Sequence, residues 1–372
     1  MISIKVLGIG AAGNKAAAQL IKSGVLEESS VRLINSTLGD VPDEFQQIAI
    51  ALSSVDAGCG KERSMAKNLA IQALKTNLGR ELAELITDED RLVVITTSTG
   101  GGTGAGSSLI IGQYIQEVLG KKVMIYAFTG FEEDARELKN TVEFFKEINP
   151  SFIVQATSNK KFLDEAPNKL KAEELANNEF CNRMNIITGQ GIVNSTQNID
   201  ETDLFKIITT PGYMDAGFIS MSKLKNTEQF NSNIVNFLDE RHSLETSKSA
   251  KRLAVVVNLQ DKYQDFVDYK FTPLKDRYGV PFEVFNHVQD VQENLSDCIW
   301  FISSGMAMPL DEVQEIYDKY IEETNKINKA QDNFFDVANQ MVSEDIDDMF
   351  DINTTANKAS STKTAESFFE NL

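Results

Sequence analysis

The sequence predicts an α/β protein built on a parallel sheet, and three observations carry that expectation. Short apolar runs alternate with longer stretches of helical periodicity through residues 1–167, the order that folds into a parallel sheet covered on both faces. Two glycine-rich turns, Gly8-Ile9-Gly10-Ala11-Ala12-Gly13-Asn14 and Thr99-Gly100-Gly101-Gly102-Thr103-Gly104-Ala105-Gly106, each follow a strand-like run and open a helix-like one. From Pro309 onward, apolar residues recur at helical spacing over an unusual length.

Residues 2–7 read as the first strand, with a helix over 15–23 and a second strand over 31–34. Residues 61–85 read as helical, with Met65, Leu69, Ala73 and Leu82 among the apolar positions. Strands are expected at 91–97, 123–128 and 152–156, and helices at 107–119 and 134–148. One long helix is expected over 168–196, followed by a second α/β unit over 197–308 whose clearest strands are 253–258 and 298–302. Pro309 is tolerated at a helix start, and Asp311 and Glu312 suit its positive end. A helix from 310 to 343 would run ~50 Å, so it either packs on another subunit or lies across its own domain. Residues 344–372 read as a mobile acidic tail closed by Ser367-Phe368-Phe369-Glu370-Asn371-Leu372, a candidate docking peptide.

The chain has 372 residues, 42% of them apolar, and a formal net charge of −19. That charge repels nucleic acid and anionic lipid, so any contact with DNA needs a basic adaptor. Three cysteines and two histidines make neither a disulfide framework nor a zinc site, and a reducing cytoplasm is expected. No signal sequence and no apolar stretch of ~20 residues is present, so no membrane association is expected.

The second glycine turn has the chemistry of a phosphate cradle. Its backbone can approach a ligand without side-chain clashes, and the following helix aims free N–H groups and partial positive charge at the same point. It lacks the Lys of the common G-x-x-x-x-G-K-[ST] loop. GGGTG followed by a small residue and Gly resembles instead the signature of the tubulin/FtsZ superfamily, with Ala105 where a hydroxyl residue is usual.

That resemblance implies a Rossmann-type GTP-binding domain over 1–167, a central helix over 168–196, a second domain over 197–308 and an extended C-terminal helix over 309–343. It implies GTP and GDP as substrate and product, with Mg²⁺. Gly10, Ala11, Ala12, Gly13, Asn14 and Asn35 would contact nucleotide from the first loops, and Gly100, Gly101, Gly102, Thr103, Gly104, Ala105 and Gly106 from the second. The Glu132/Arg136 pair matches the family's ribose and phosphate ligands. Asn159 and Asn182 line up with its guanine-reading asparagines, although the aromatic near the latter is Phe180, with Asn178 at the usual stacking position. Asn198-Ile199-Asp200-Glu201-Thr202-Asp203 reproduces the N-x-D-x-x-D catalytic loop that, in this family, caps the nucleotide of the next subunit. Asp200 and Asp203 are the catalytic candidates, with helix capping by Asp200 as the plainer account. Magnesium ligands stay open, with Glu62 in the Gly58-Cys59-Gly60-Lys61-Glu62-Arg63 loop as a candidate.

The absence of a division-type C-terminal peptide and the long final helix resemble the TubZ group of plasmid and phage partition GTPases. This implies a head-to-tail homopolymer that moves centromere-like DNA through a DNA-bound, TubR-like adaptor. Residues 331–372, with nine Asp/Glu and two Lys, suit a basic partner. A phage-spindle tubulin, a divergent division protein and a non-hydrolysing structural subunit are the alternatives within reach. Gly8-x-Gly10-x-x-Gly13 alone also allows an NAD-dependent oxidoreductase, but the end of the second strand carries Asn35 where that reading wants an acidic residue.

Overall fold

The computed structural model describes residues 2–54, 57–189, 199–244, 249–289 and 297–335, the side chains of 287–289 and 329–335 excepted. The first half runs β1 (Ile4–Ile9), α1 (Gly10–Lys22), β2 (Val31–Asn35), β3 (Ala49–Ala51), α2 (Arg63–Leu74), α3 (Asn77–Leu85), β4 (Leu92–Ser98), α4 (Thr103–Glu117), β5 (Lys122–Thr129), α5 (Ala135–Glu147) and β6 (Ile153–Ser158). The second half runs α6 (Lys169–Thr188), α7 (Glu201–Ile208), β7 (Gly212–Ser220), α8 (Thr227–Glu240), β8 (Arg252–Asn258), α9 (Asp261–Gln264), α10 (Thr272–Tyr278), β9 (Glu283–Gln289), β10 (Cys298–Met306) and α11 (Leu310–Phe335).

All ten strands join one sheet in the order β3-β2-β1-β4-β5-β6-β7-β10-β8-β9. The first seven run parallel, while β10 runs against both β7 and β8. The seam between the halves is narrow, with Ile153 opposite Gly212 and Val154 opposite Tyr213. Alternation along each strand feeds two cores, one on each face. Val93 and Ile95 join Tyr213, Leu253 and Phe301 on one face. Leu92 and Val94 join Met214, Ala254 and Ile302 on the other. Each core therefore draws on both halves of the chain.

Two helices differ from expectation. The run over 61–85 is two helices, broken at Thr76, whose hydroxyl donates back to the carbonyls of Gln72 and Ala73, the side-chain competition that ends helices. The helix expected over 168–196 stops at Thr188, where Gly189 takes a left-handed conformation at φ +75°; residues 190–198 lie outside the described residues. α11 is described to Phe335, and the tail expected over 344–372 lies beyond the described residues. The first turns of α11 lie on their own chain, with Ile316 buried against Leu138 and Val142 of α5 and Tyr317 and Tyr320 packed beside them.

Candidate functional site

The parallel register puts the ends of β1, β4, β5 and β6 on one edge of the sheet, where both glycine turns lie. Gly10 opens α1 at φ +77°, and a Cβ there would sit 2.8 Å from the backbone nitrogen of Gly104. A Cβ on Gly104 would meet Thr97 Oγ1 at 2.4 Å and the Ile9 carbonyl at 2.9 Å. The two turns are thus packed backbone on backbone, and only glycines allow it. The consequence is electrostatic: the N-termini of α1 and α4, each worth about half a positive charge, converge on one cleft.

That cleft holds about 390 Å³ and is floored by Gly10, Ala11, Ala12, Gly101, Gly102, Thr103 and Gly104. Asn35 and Ser36 wall one side, and Ser36 Oγ shares a hydrogen bond with Thr103 Oγ1 at 2.9 Å. Asn35 accepts from the Ser36 amide and reaches toward Asp40, the carboxylate that also lines the cleft. Gly100 lies behind the cradle, its carbonyl taken by Asn140, and Ala105 and Gly106 run on into buried α4. Gly13 and Asn14 are buried one turn into α1. Neither the amide nitrogen nor the oxygen of the Asn14 side chain has a partner, and Asn159 Oδ1, just past β6, has none either. Unpaired buried amides are costly and rare; neither residue lines the cleft itself.

The remaining candidates lie around this cleft rather than in it. Glu132, at φ +60°, is held at 2.7 Å by both Lys160 and Lys319 of α11, in a neighbouring cleft of about 670 Å³. Burial alone would raise its pKa, but the two lysines hold it below the usual carboxylate range. Arg136 pairs with Glu62 at 2.6 Å, so the arginine and the expected metal candidate satisfy each other. Among the described residues no three His, Cys, Asp or Glu form a metal cluster. Mg²⁺ carried on substrate phosphates needs only one or two protein carboxylates, and Asp40 would supply one.

Asn182 is not brought to the cradle. It lines a separate cleft of about 400 Å³ between α6, β7 and the end of α8. The α6 residues that reach α1 are Glu173, paired with Lys15, and Asn178, which accepts from Gln19. Phe180 packs in the core, 4.5 Å from Tyr126 between ring centroids, and is fully buried. Asn178 and Asn182, four residues apart, share one helix face and both line this cleft, with Asn178 at the end nearer α1 and Asn182 one turn further along α6.

Asp200 and Asp203 lie at the start of α7, where the Asp200 carboxylate caps the helix by accepting from the Asp203 amide at 2.8 Å. Asp200 is exposed and Asp203 half-buried; Asn198 lies outside the described residues. Contacts of Arg91 fix where α7 sits. Arg91 immediately precedes β4, stacks on Phe205 at 3.7 Å and pairs with Glu201. The glycine turn leaves the other end of β4. Seven strand residues separate them, about 20 Å or more, so the cradle and the two aspartates occupy opposite ends of the sheet.

No protein-family model matches the chain. Solved structures do. The Clostridium botulinum phage c-st TubZ superposes with a TM-score of 0.67 at 17% identity, over 87% of this chain and 98% of that one. A GTPγS-form protofilament of Bacillus thuringiensis serovar israelensis TubZ gives 0.73 at 18% identity, over 89% and 94%. CetZ1 from Haloferax volcanii, a GDP-bound monomer, gives 0.66 at 14% identity, over 87% and 100%. The fold is the tubulin/FtsZ fold.

In this tubulin/FtsZ fold the sequence had not singled out Asp40, Ser36 or Lys61 as cleft residues. Ser36 and Asp40 follow β2 without a motif. Lys61 follows Gly58-Cys59-Gly60, whose small residues were the available signal for a second backbone wall.

Proposed function

We propose that this chain binds and hydrolyses GTP in a head-to-tail homopolymer, with Asp200 and Asp203 of one copy completing the cradle of the next. The observation that carries this is the placement of a phosphate cradle and a carboxylate pair at opposite ends of one sheet. One copy keeps them apart, and head-to-tail stacking of two copies would bring them together. The GTPγS-form and GDP-form protofilaments of Bacillus thuringiensis TubZ, at 18% identity, support the reading. The unpaired Asn14 and Asn159 amides are the proposed base contacts; they, like Glu132, Arg136 and Asn182, would need to shift to reach nucleotide. Mg²⁺, when bound, would neutralise phosphate charge. An Asp200 or Asp203 carboxylate orients the attacking water and takes its proton, while the α1 and α4 N-termini hold the phosphates.

The finer reading is a filament in a bacterial cytoplasm that moves DNA through a basic adaptor, supported by the −19 charge of the chain. Among the described residues no helix is long and apolar enough to cross a membrane.

Mixing two dead variants tests the shared site. Thr103→Arg blocks the cradle and leaves the aspartates, whereas Asp200→Asn does the reverse. Mixed, they form some interfaces with an intact cradle facing an intact Asp200, and GTPase activity should reappear. Activity no greater than the sum of the two alone, with co-sedimentation confirming mixed polymer, rejects the shared site.

A further inference from the structure

The cleft has a second wall made by residues 58–61, and its one lysine stands out. A Cβ on Gly102 would lie 2.9 Å from the Lys61 Cα and 3.0 Å from the Lys61 nitrogen, so this loop touches the glycine turn backbone to backbone. Lys61 sits at φ +63°, directly after Gly60 at φ +53°. A residue with a side chain rarely occupies this left-handed region, and such strain gathers at ligand sites. Among the described residues lining the cleft, Lys61 is the sole cation. The glycine turn itself carries no lysine.

The loop is otherwise stitched down. Glu62 pairs with Arg136, and buried Arg63 pairs with Glu143 and Glu147 while donating to the Ala105 carbonyl. The Lys61 carbonyl accepts from Asn140, which also holds the carbonyls of Gly100 and Gly101. Lys61 Nζ meets Asp134 at 2.5 Å, a pair in which both side chains are nearly half exposed. Exposed pairs of this kind are weak and exchangeable. A phosphate oxygen in the cleft offers the same cation a more highly charged partner with less competing water.

We propose that Lys61 is the residue that reads the terminal phosphate of a nucleoside triphosphate, leaving Asp134 to do so. This rests on the nucleotide reading above. The inner phosphates are held by backbone amides at the two helix N-termini. The outermost one extends past Gly102 to the Lys61 loop and meets the ammonium. The strained backbone is what brings Lys61 into the cleft, and the flanking ion pairs keep the loop fixed while its side chain changes partner.

The test compares GTP and GDP by equilibrium titration for wild type, Lys61→Met, Lys61→Arg, Lys61→Gly and Asp134→Asn. Lys61→Met should weaken GTP by about 10- to 100-fold, the range of one charged hydrogen bond, and leave GDP within twofold. Lys61→Arg should keep most of the preference for GTP. Lys61→Gly removes both the strain and the charge, so it should unfold no more easily than wild type yet lose the same preference. Asp134→Asn should tighten GTP several-fold by removing the competitor. Equal weakening of GTP and GDP, or none of either, overturns the assignment. Inorganic tripolyphosphate separates the two levels of the reading. If wild type binds it in a Lys61-dependent way but binds no GTP, the base assignment fails and Lys61 stands; if wild type binds neither, both fall.

Discussion

The two ends of the sheet are built by different means. At the glycine-turn end, the backbone makes the site: two helix N-termini meet over glycines that leave no room for a Cβ. At the other end, side chains make it: Asp200 and Asp203 stand at the start of an eight-residue helix, one exposed and one half-buried. The first end is complete within one chain, because every group that would hold a phosphate is fixed by packing. The second has reactive groups and nothing within the same chain to act on. On the proposed reading, binding would be a property of the monomer and turnover a property of the contact between copies.

The sharpest way to break this division is to attack the cradle alone. Gly104→Val places a branched side chain where Thr97 and the Ile9 carbonyl already stand. GTP affinity should fall about 100-fold or more, since displacing a positioned group by an ångström has effects of that size. Far-UV circular dichroism should stay native. Near-normal affinity in this variant would mean that phosphate sits elsewhere.

Next is the other end, where capping and chemistry must be separated. Asn caps a helix as well as Asp does, so Asp200→Asn should keep α7 and its unfolding midpoint. Turnover should drop by roughly 10²–10⁴, the contribution of a general base. Asp200→Ala should lose the activity and also ~1 kcal/mol of stability. Wild-type turnover in the Asn variant, with a defect only in Ala, would reduce Asp200 to a cap.

The same contrast explains what the sequence disclosed. The glycine turns, the strands feeding them and α4 were legible because backbone geometry leaves a fixed local signature, glycines between an apolar run and a helix. Asp200 was legible as a motif, but its cap was only one of two readings until α7 was seen. Residues whose role depends on where a side chain points were harder. Asn182 and Asn178 line the same second cleft one helical turn apart, and only Asn178 also reaches α1, so the register along α6 decides which amide approaches the first half. Glu132 matched a ribose ligand by position, but the lysines that hold it, Lys160 and Lys319, come from 28 and 187 residues away. Strands β7 and β9 were missed because β7 opens on Gly and holds Asp215, and exposed Phe218 and Val284 blur the alternation in each.

A third test concerns what keeps the two ends at a fixed distance. α6 spans them, and its middle is tied to β7 by a buried ion cluster. Asp215 lies between Arg183 and Arg241 and accepts from Tyr278 at 2.7 Å and Ser243 at 2.8 Å. Burial alone would raise the Asp215 pKa, but the two guanidinium groups and these hydrogen bonds hold it low. Asp215→Ala removes the carboxylate that two buried arginines share, although Arg183 keeps Glu179 and Arg241 keeps Tyr278, and should destabilise the fold by about 3 kcal/mol in denaturant titration. A loss under ~1 kcal/mol, the range of exposed pairs, would show that the cluster is not the tie.

The smallest expected effect tests the same strut through pH. His242 stacks on Phe162 at 3.6 Å and lies between Glu179 of α6, at 3.1 Å, and Glu165, at 2.8 Å. Burial pulls its pKa down, but the two carboxylates outweigh burial and raise it above the ordinary 6.5. Glu179 also feels burial first, and Arg183 and His242 hold its pKa below 4.5. A raised histidine stabilises fully below its unfolded pKa and loses that contribution as pH climbs through the folded value. A lowered carboxylate contributes above its unfolded pKa and loses that as pH falls through the folded value. The two windows overlap between about pH 4.5 and 6.5. Thermal unfolding of wild type against His242→Gln should therefore differ most near pH 6, by a few degrees, and the gap should narrow as pH rises from there through the raised folded value. A gap that is constant across this range would mean that His242 holds α6 by stacking on Phe162 alone, without its charge.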